Sequence, residues 1–264
     1  MTRALILVLN GSSATTLNEL PIPTVHMLAG LGVHGAVLWQ GATPTLQPSL
    51  AGNEPASGSP FRLLTASEQG TACLSECTPA ALLEKLLNTG ISENYSSLSE
   101  KGQPASTTKS DLWSQCVETL THEAWQGFMI EDQSLEQLSG SLNLEASEGG
   151  SKLDENLGGV LGVLDEQTAV LLLAPPKTPG LDMKVPATTG FFALVDPGGR
   201  LTQPTDQVTL TDLIISLSTI CNWGPLTSLE GRSLLRAGDD SESELSEAQE
   251  EILRERLSGL GYLG

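Results

Sequence analysis

The sequence predicts an α/β fold in which helices cover both faces of a mostly parallel β-sheet. Three observations predict this class. Apolar runs of strand length alternate along the chain with segments whose apolar residues recur at helical spacing. The run from Val170 to Ala174 is apolar without interruption, as in strands that are buried on both faces. The chain of 264 residues is also long enough to bury a sizeable core.

The first half of the chain supplies three predicted strands, at residues 3–9, 35–39 and 127–130, and three predicted helices, at residues 24–31, 78–90 and 111–125. Asn10-Gly11 is a turn signal that ends the first strand. Thr78 as N-cap and Pro79 at the first helical position mark the start of the second helix. The turn-rich and polar segments at residues 44–59 and 92–110 predict loops.

The second half supplies predicted strands at residues 168–173 and 191–195 and predicted helices at residues 153–164, 209–220 and 248–257. Residues 139–151 are rich in Ser, Gly and Glu, which predicts a flexible loop. Residues 237–247 are acidic and Ser-rich, which predicts a linker. We therefore expect a single α/β domain over residues 1–236. An acidic linker, a C-terminal helix and the tail are expected over residues 237–264.

The charges of the chain are strongly unbalanced, with 32 acidic against 13 basic residues, a net charge of −19 and a pI near 4.3. A surface of this sign repels nucleic acid and anionic membranes, so we expect neither as a partner. No apolar run approaches the ~20 residues of a membrane span. The start, MTRALILVLNG, lacks a small-residue cleavage site, which favours a strand over a signal peptide. We expect a cytoplasmic protein with no direct membrane insertion.

Sequence motifs for metals and cofactors are weak. Cys73 and Cys77 lie four residues apart, and even with His122 they would lack a fourth zinc ligand. We therefore expect the four cysteines to be free thiols, as is usual in a reducing compartment. The sequence has no phosphate-binding Walker A motif and no G-x-S-x-G nucleophile elbow.

Six segments, taken in chain order, share features with one known family. They are residues 4–11 (ALILVLNG), 23–35 (PTVHMLAGLGVHG), 44–55 (PTLQPSLAGNEP), 153–176 (LDENLGGVLGVLDEQTAVLLLAPP), 207–236 (QVTLTDLIISLSTICNWGPLTSLEGRSLLR) and the tail ERLSGLGYLG. Together they resemble the alkaline phosphatase superfamily, in its type I phosphodiesterase, nucleotide pyrophosphatase and sulfatase branch. The resemblance implies an alkaline-phosphatase-like core. Residues 92–150 are unmatched and short for the family, which implies a reduced cap region.

The same resemblance implies a reaction that uses two divalent metals, usually zinc, and a Thr or Ser nucleophile, or formylglycine and calcium in sulfatases. The residues at the matching positions do not suit this reaction. Asn10 stands where the family's first strand ends in Asp, and Gln47 stands at the nucleophile position. Ala174 and Pro175 stand where Asp-His normally follows the strong strand. An amide carries no charge, Gln cannot be phosphorylated, and neither Ala174 nor Pro175 has a side-chain lone pair for a metal.

The histidine content points the same way. The family also requires a late His as a metal ligand, but this chain has only His26, His34 and His122 and none after them. His26 and His34 follow the first strand, where an exposed or capping His is the ordinary interpretation. We therefore expect no metal, no cofactor and no catalytic residue.

The leading hypothesis is a pseudoenzyme. Such a degenerate member would keep the fold, lack the metal ligands and the nucleophile, and act with protein partners as a binding or structural subunit of an assembly. The alternative is a metal-dependent phosphodiesterase, phosphatase or sulfatase with an altered site, using Asn10, Thr45 or Ser49, and Glu131 or Asp132. Outside that role, Glu131-Asp132 predicts a solvated turn or a helix N-cap. A third hypothesis, an acidic regulator of a basic partner, rests on the net charge alone.

Overall fold

The structure is a computed structural model, and it describes residues 2–10, 22–39, 61–66, 72–77, 81–83, 86, 106–107, 112–132, 144–175, 188–223 and 229–236. None of the helices in these ranges combines the length and the apolar character that are needed to cross a bilayer. The predicted linker, C-terminal helix and tail of residues 237–264 lie outside them. The extent of the α/β domain over residues 1–236 stays a prediction.

The described strands are β1 (Arg3–Leu9), β2 (Val33–Trp39), β3 (Phe61–Ala66), β4 (Ala72–Cys77), β5 (Ser106–Thr107), β6 (Gly127–Asp132), β7 (Thr168–Ala174), β8 (Thr188–Val195) and β9 (Val208–Thr209). The described helices are α1 (Pro23–Leu31), α2 (Leu112–His122), α3 (Leu144–Leu161) and α4 (Leu210–Cys221). Residues 81–83 and 86 are also helical. The strands form one sheet in the order β5-β4-β3-β6-β1-β7-β8-β2-β9.

Most strands of the described sheet point in the same direction. At its centre, β3, β6, β1 and β7 are parallel to one another. Strands β4 and β8 run antiparallel to both of their neighbours, so seven of the nine described strands share one direction. The predicted α/β class with a mostly parallel sheet is therefore confirmed. The carboxyl ends of β1, β6 and β7 lie side by side at one edge of this sheet.

Helices cover both faces of the sheet, as predicted. One face of β1 packs into a core shared with α4, and the other packs into a core shared with α1, α2 and α3. The residues of β1 that alternate between these cores are Ala4, Ile6 and Val8 on the α4 side and Leu5, Leu7 and Leu9 on the opposite side. Because both faces are buried, β1 and β7 are continuous apolar runs after their first residues, Arg3 and Thr168.

The predicted loop at residues 139–151 is wrong in its second part, because α3 begins at Leu144. The sequence Leu144-Glu145-Ala146 has high helix propensity. This propensity outweighs the Ser and Gly content on which the loop prediction rests. The predicted loop at residues 92–110 is likewise interrupted, because Ser106–Thr107 pairs with β4 as β5.

Strands β3 and β4 form an antiparallel pair that the apolar pattern did not predict. The reason lies in Arg62, which interrupts the apolar residues of β3. The guanidinium of Arg62 is almost buried and forms ion pairs with Glu76 of β4 and with Glu123, which follows α2. A buried Arg needs such partners, and they come from distant parts of the sequence.

Two polar residues of α4, Asp212 and Ser216, hold the C-terminal described segment, and a capping box holds the start of the helix. Thr209 and Asp212 form a reciprocal capping box at its start. The Oδ1 atom of Asp212 also accepts a hydrogen bond from the backbone N–H of Arg232 at 2.7 Å. The Oγ atom of Ser216 accepts one from the backbone N–H of Leu234 at 2.8 Å. The C-terminal described segment is therefore tied to α4 through buried side chains.

Candidate functional site

Asn10 follows β1 at the edge of the sheet where β1, β6 and β7 all end. In the parallel register, Leu9 lies opposite Asp132 of β6, and Val8 lies opposite Leu173 of β7. Asn10 therefore lies between the ends of the two neighbouring strands. In open α/β sheets this is the edge at which ligands bind.

Asn10 is held by two hydrogen bonds to β6. Its backbone N–H donates to the carbonyl oxygen of Asp132 at 2.8 Å, and its Nδ2 atom donates to Oε1 of Glu131 at 2.8 Å. The residue is only 8% exposed. An amide donor stabilises the neighbouring carboxylate without adding charge. An Asp at this position would instead place a like charge beside Glu131.

Asp132 is a buried acid, at 6% exposure, and is the last residue of β6. Its Oδ2 atom accepts a hydrogen bond from Nε1 of Trp113 at 3.2 Å. Trp113 lies in the first turn of α2 and packs in the same core as Phe128 and Ile130. The prediction of a solvated turn or helix N-cap at Glu131-Asp132 is therefore wrong, because β6 continues to pair with β1 through both residues.

On the opposite side of Asn10, the edge is apolar. Ala174 ends β7 and is fully buried, with Phe191 of β8 opposite it. Pro175 follows directly and is also buried. A proline has no N–H to continue the ladder, so it suits the end of the strand. Neither residue brings a polar side chain to the edge.

The other candidate residues do not join this edge in the described part of the chain. Thr45, Gln47 and Ser49 lie outside the described residues. The three histidines are exposed and lie on three separate elements: His26 in α1, His34 in β2 and His122 in α2. Across the described ranges, no group of three or more His, Cys, Asp or Glu side chains is arranged to hold a metal ion.

The described residues at the edge do not fit a two-metal centre. They offer the carboxylates of Glu131 and Asp132 and the amide of Asn10, with no imidazole among them. A catalytic zinc takes about three protein ligands, and a two-metal site needs a correspondingly larger set. Each carboxylate here also accepts a hydrogen bond from within the protein, Glu131 from Asn10 and Asp132 from Trp113.

The described thiols are poor nucleophiles. Burial raises the pKa of Cys221 to about 12, and the charge of Asp196 adds to this rise while that of Arg200 opposes it. Burial also raises the pKa of Cys77 to about 12. Both thiols are therefore protonated at neutral pH, whereas a reactive cysteine is a thiolate. The prediction of free thiols is confirmed for Cys77, Cys116 and Cys221.

No protein-family model matches the chain, and no curated protein matches it. Among solved structures, the chain is similar to a protein in the alkaline phosphatase superfamily from Vibrio parahaemolyticus. The two chains are 13% identical, with a TM-score of 0.47. The similarity covers 88% of this chain and 69% of the other.

Proposed function

We propose that the chain is a catalytically inactive member of the alkaline phosphatase superfamily that acts as a binding or structural subunit of a protein complex. One observation supports the inactivity more than any other. Asn10 stands at the position of the family's first-strand Asp, and its Nδ2 atom donates a hydrogen bond to Oε1 of Glu131 at 2.8 Å. The edge residue that would bind a metal in the resembling family is here a neutral internal hydrogen-bond partner.

The two strands beside β1 support the same proposal. On one side, Ala174 and Pro175 carry no metal-binding atom in their side chains. On the other side, the carboxylate of Asp132 is buried and accepts the indole N–H of Trp113. The polar side chains of the edge are thus each hydrogen-bonded within the protein, Asn10 with Glu131 and Asp132 with Trp113.

Zinc titration by calorimetry tests whether this edge can hold the two metals of the family's reaction. We expect no tight zinc binding at two sites per chain, because the described edge offers too few ligands. Tight binding at two sites, lost when Glu131 is replaced by Gln, would overturn the proposal. The matched control is Glu230→Gln, an exposed acid outside this edge.

The role as a subunit needs a separate test. We expect the chain to co-purify under gentle conditions with one or more protein partners in fixed stoichiometry. The complex should survive treatment with a metal chelator, because no metal is expected to hold it together. A chain that behaves as an isolated monomer throughout purification from its source would contradict this part of the proposal.

The alternative is a metal-dependent phosphodiesterase, phosphatase or sulfatase with altered chemistry. One observation favours it: Asn10, Glu131 and Asp132 lie together at the edge where such a site is expected. Turnover of a chromogenic phosphodiester or sulfate ester with added divalent metal would support it. The activity should then be lost in Thr45→Ala or Ser49→Ala and in Glu131→Gln.

A further inference from the structure

Strand β2 lies next to one end of the described sheet, and the described residues cover only part of its outer edge. Along its inner edge, β2 pairs with β8 over all of its length, from Val33 to Trp39. Along its outer edge, it pairs with β9 only at Val37 and Leu38. The outer edge of residues 33–36 therefore extends beyond the pairing with β9.

The side chain of Gln203 covers part of this outer edge. Its Nε2 atom donates to the backbone carbonyl oxygen of His34 at 2.7 Å. Its Oε1 atom accepts from the backbone N–H of His34 at 3.3 Å. A side-chain amide thus satisfies the same donor and acceptor that a neighbouring strand would use. Both hydrogen bonds lie at the exposed surface of the protein.

The sequence of β2 provides none of the usual protection for an edge. Natural edges are blunted by charged side chains, by proline or by bulges. The seven residues of β2, VHGAVLW, contain no charged residue and no proline, although the whole chain has a net charge of −19. Short uncharged segments of high β-propensity are the ones that pair with copies of themselves.

We propose that Gln203 is an edge guard, which prevents β2 from pairing with β2 of a second copy of this chain. Two β2 edges are self-complementary, because each offers the N–H and the carbonyl oxygen of His34 to the other in an antiparallel pair. In the native chain, such pairing must first displace the amide of Gln203. Replacing Gln203 by Ala removes this competition, because the N–H and the carbonyl oxygen of His34 then lose their hydrogen bonds to the Gln203 amide.

Sedimentation velocity over a range of protein concentrations tests the proposal. We expect Gln203→Ala to self-associate roughly tenfold more tightly than the wild-type chain, since two backbone hydrogen-bonding groups no longer have an internal competitor. The control is Gln207→Ala on the same surface loop, because Gln207 contacts Arg232 through its backbone oxygen. This control should associate like the wild type. Unchanged association of Gln203→Ala would overturn the proposal.

A second variant identifies the edge that is used. The His34 N–H points to Gln203 and away from β8, so a proline at this position removes the outer donor without removing a bond to β8. We expect Gln203→Ala/His34→Pro to return to wild-type association, with circular dichroism to confirm that it folds. If the double variant still associates like Gln203→Ala, another surface is responsible and the proposal is wrong.

Discussion

The amide of Asn10 donates a hydrogen bond to the carboxylate of Glu131 from one parallel strand end to the next, at 2.8 Å. The same residue is tied through its backbone to Asp132. Asn10 therefore joins the ends of β1 and β6 through one side-chain and one backbone hydrogen bond, at the position where the family that the sequence resembles has a charged metal ligand. Stability measurements on variants of Asn10 can distinguish a structural hydrogen-bond partner from a metal ligand.

Replacing Asn10 by Asp should destabilise the fold by about 1–3 kcal/mol at pH 7, because the donor to Glu131 is lost and a second carboxylate then faces Glu131. The neighbouring negative charges should raise the pKa of the new carboxyl in the folded state. A raised folded-state pKa means that the loss of stability diminishes as the pH falls from 7 towards 5. Urea unfolding at both pH values measures this change.

Asn10→Ala is the control for charge, since it removes the donor without adding a carboxylate. Its loss of stability should change less between the two pH values than that of Asn10→Asp. An Asn10→Asp variant that is as stable as the wild type at pH 7, without added metal, would show that the hydrogen bond to Glu131 contributes nothing.

Replacing Trp113 by Phe should cost about 1.5–3 kcal/mol, because it removes a donor to the buried carboxylate of Asp132. Trp125→Phe is the matched control, since the Nε1 atom of Trp125 donates to the neutral carbonyl oxygen of Leu120 at 3.3 Å. This second variant should cost about 0.5–1.5 kcal/mol from its hydrogen bond. Guanidinium unfolding followed by far-ultraviolet circular dichroism measures both losses. A larger loss for Trp125→Phe than for Trp113→Phe would contradict the hydrogen bond from Trp113 to the buried Asp132 carboxylate.

Replacing Asp212 by Ala should cost about 2–4 kcal/mol, since its carboxylate accepts hydrogen bonds from the backbone N–H groups of Thr209 and Arg232. Asp212→Asn keeps one acceptor oxygen and should lose less. Thermal unfolding gives the two losses, and limited proteolysis should show earlier cleavage near Arg232 in Asp212→Ala. Equal stability of Asp212→Ala and the wild type would contradict the anchoring of this segment to α4.

The ion pair of Arg3 and Asp165 should make the free energy of unfolding depend on pH under acidic conditions. Burial acts to raise the pKa of the Asp165 carboxyl, but hydrogen bonds from Thr168 and Arg3 and the charge of Arg3 outweigh it and lower the pKa. A lowered folded-state pKa contributes stability above the unfolded value, near 4, and this contribution is lost as the pH falls through the folded value.

The difference in stability between the wild type and Asp165→Asn should therefore be largest near pH 6 and should shrink below about pH 4. Chemical unfolding at a series of pH values measures it. Arg3→Met should reproduce the trend, because it removes the cation that lowers the pKa of Asp165. A difference that stays constant from pH 6 to pH 3 would contradict this role of the pair.

The sequence pattern predicted the elements that are apolar throughout or periodic. Strands β1 and β7 lie at the predicted positions because burial on both faces requires continuous apolar residues. Helix α4, at Leu210–Cys221, lies within one residue of the helix predicted at residues 209–220. By contrast, β3 carries the buried Arg62, whose acidic partners are distant in sequence, so its local pattern gave no strand signal.

The candidate site was likewise predicted only in part, because some of its contacts join residues that are distant in sequence. Asn10 is a candidate because it follows the first predicted strand, at the position where the resemblance places an Asp. The contact of Trp113 with Asp132 depends on how α2 packs against β6, and no local pattern encodes that packing. A buried Trp does need an acceptor for its N–H, but the sequence does not specify which acid supplies it.

Zinc binding by the wild type, measured by calorimetry beside Asn10→Asp, tests most directly the proposal that the site is inactive. We expect the wild type to bind no zinc tightly at two sites. Asn10→Asp should bind at most one equivalent weakly, because a third carboxylate still leaves the described edge without an imidazole. Tight binding of two zinc ions by the wild-type chain, abolished by Glu131→Gln and accompanied by ester turnover, would contradict the proposal of a pseudoenzyme.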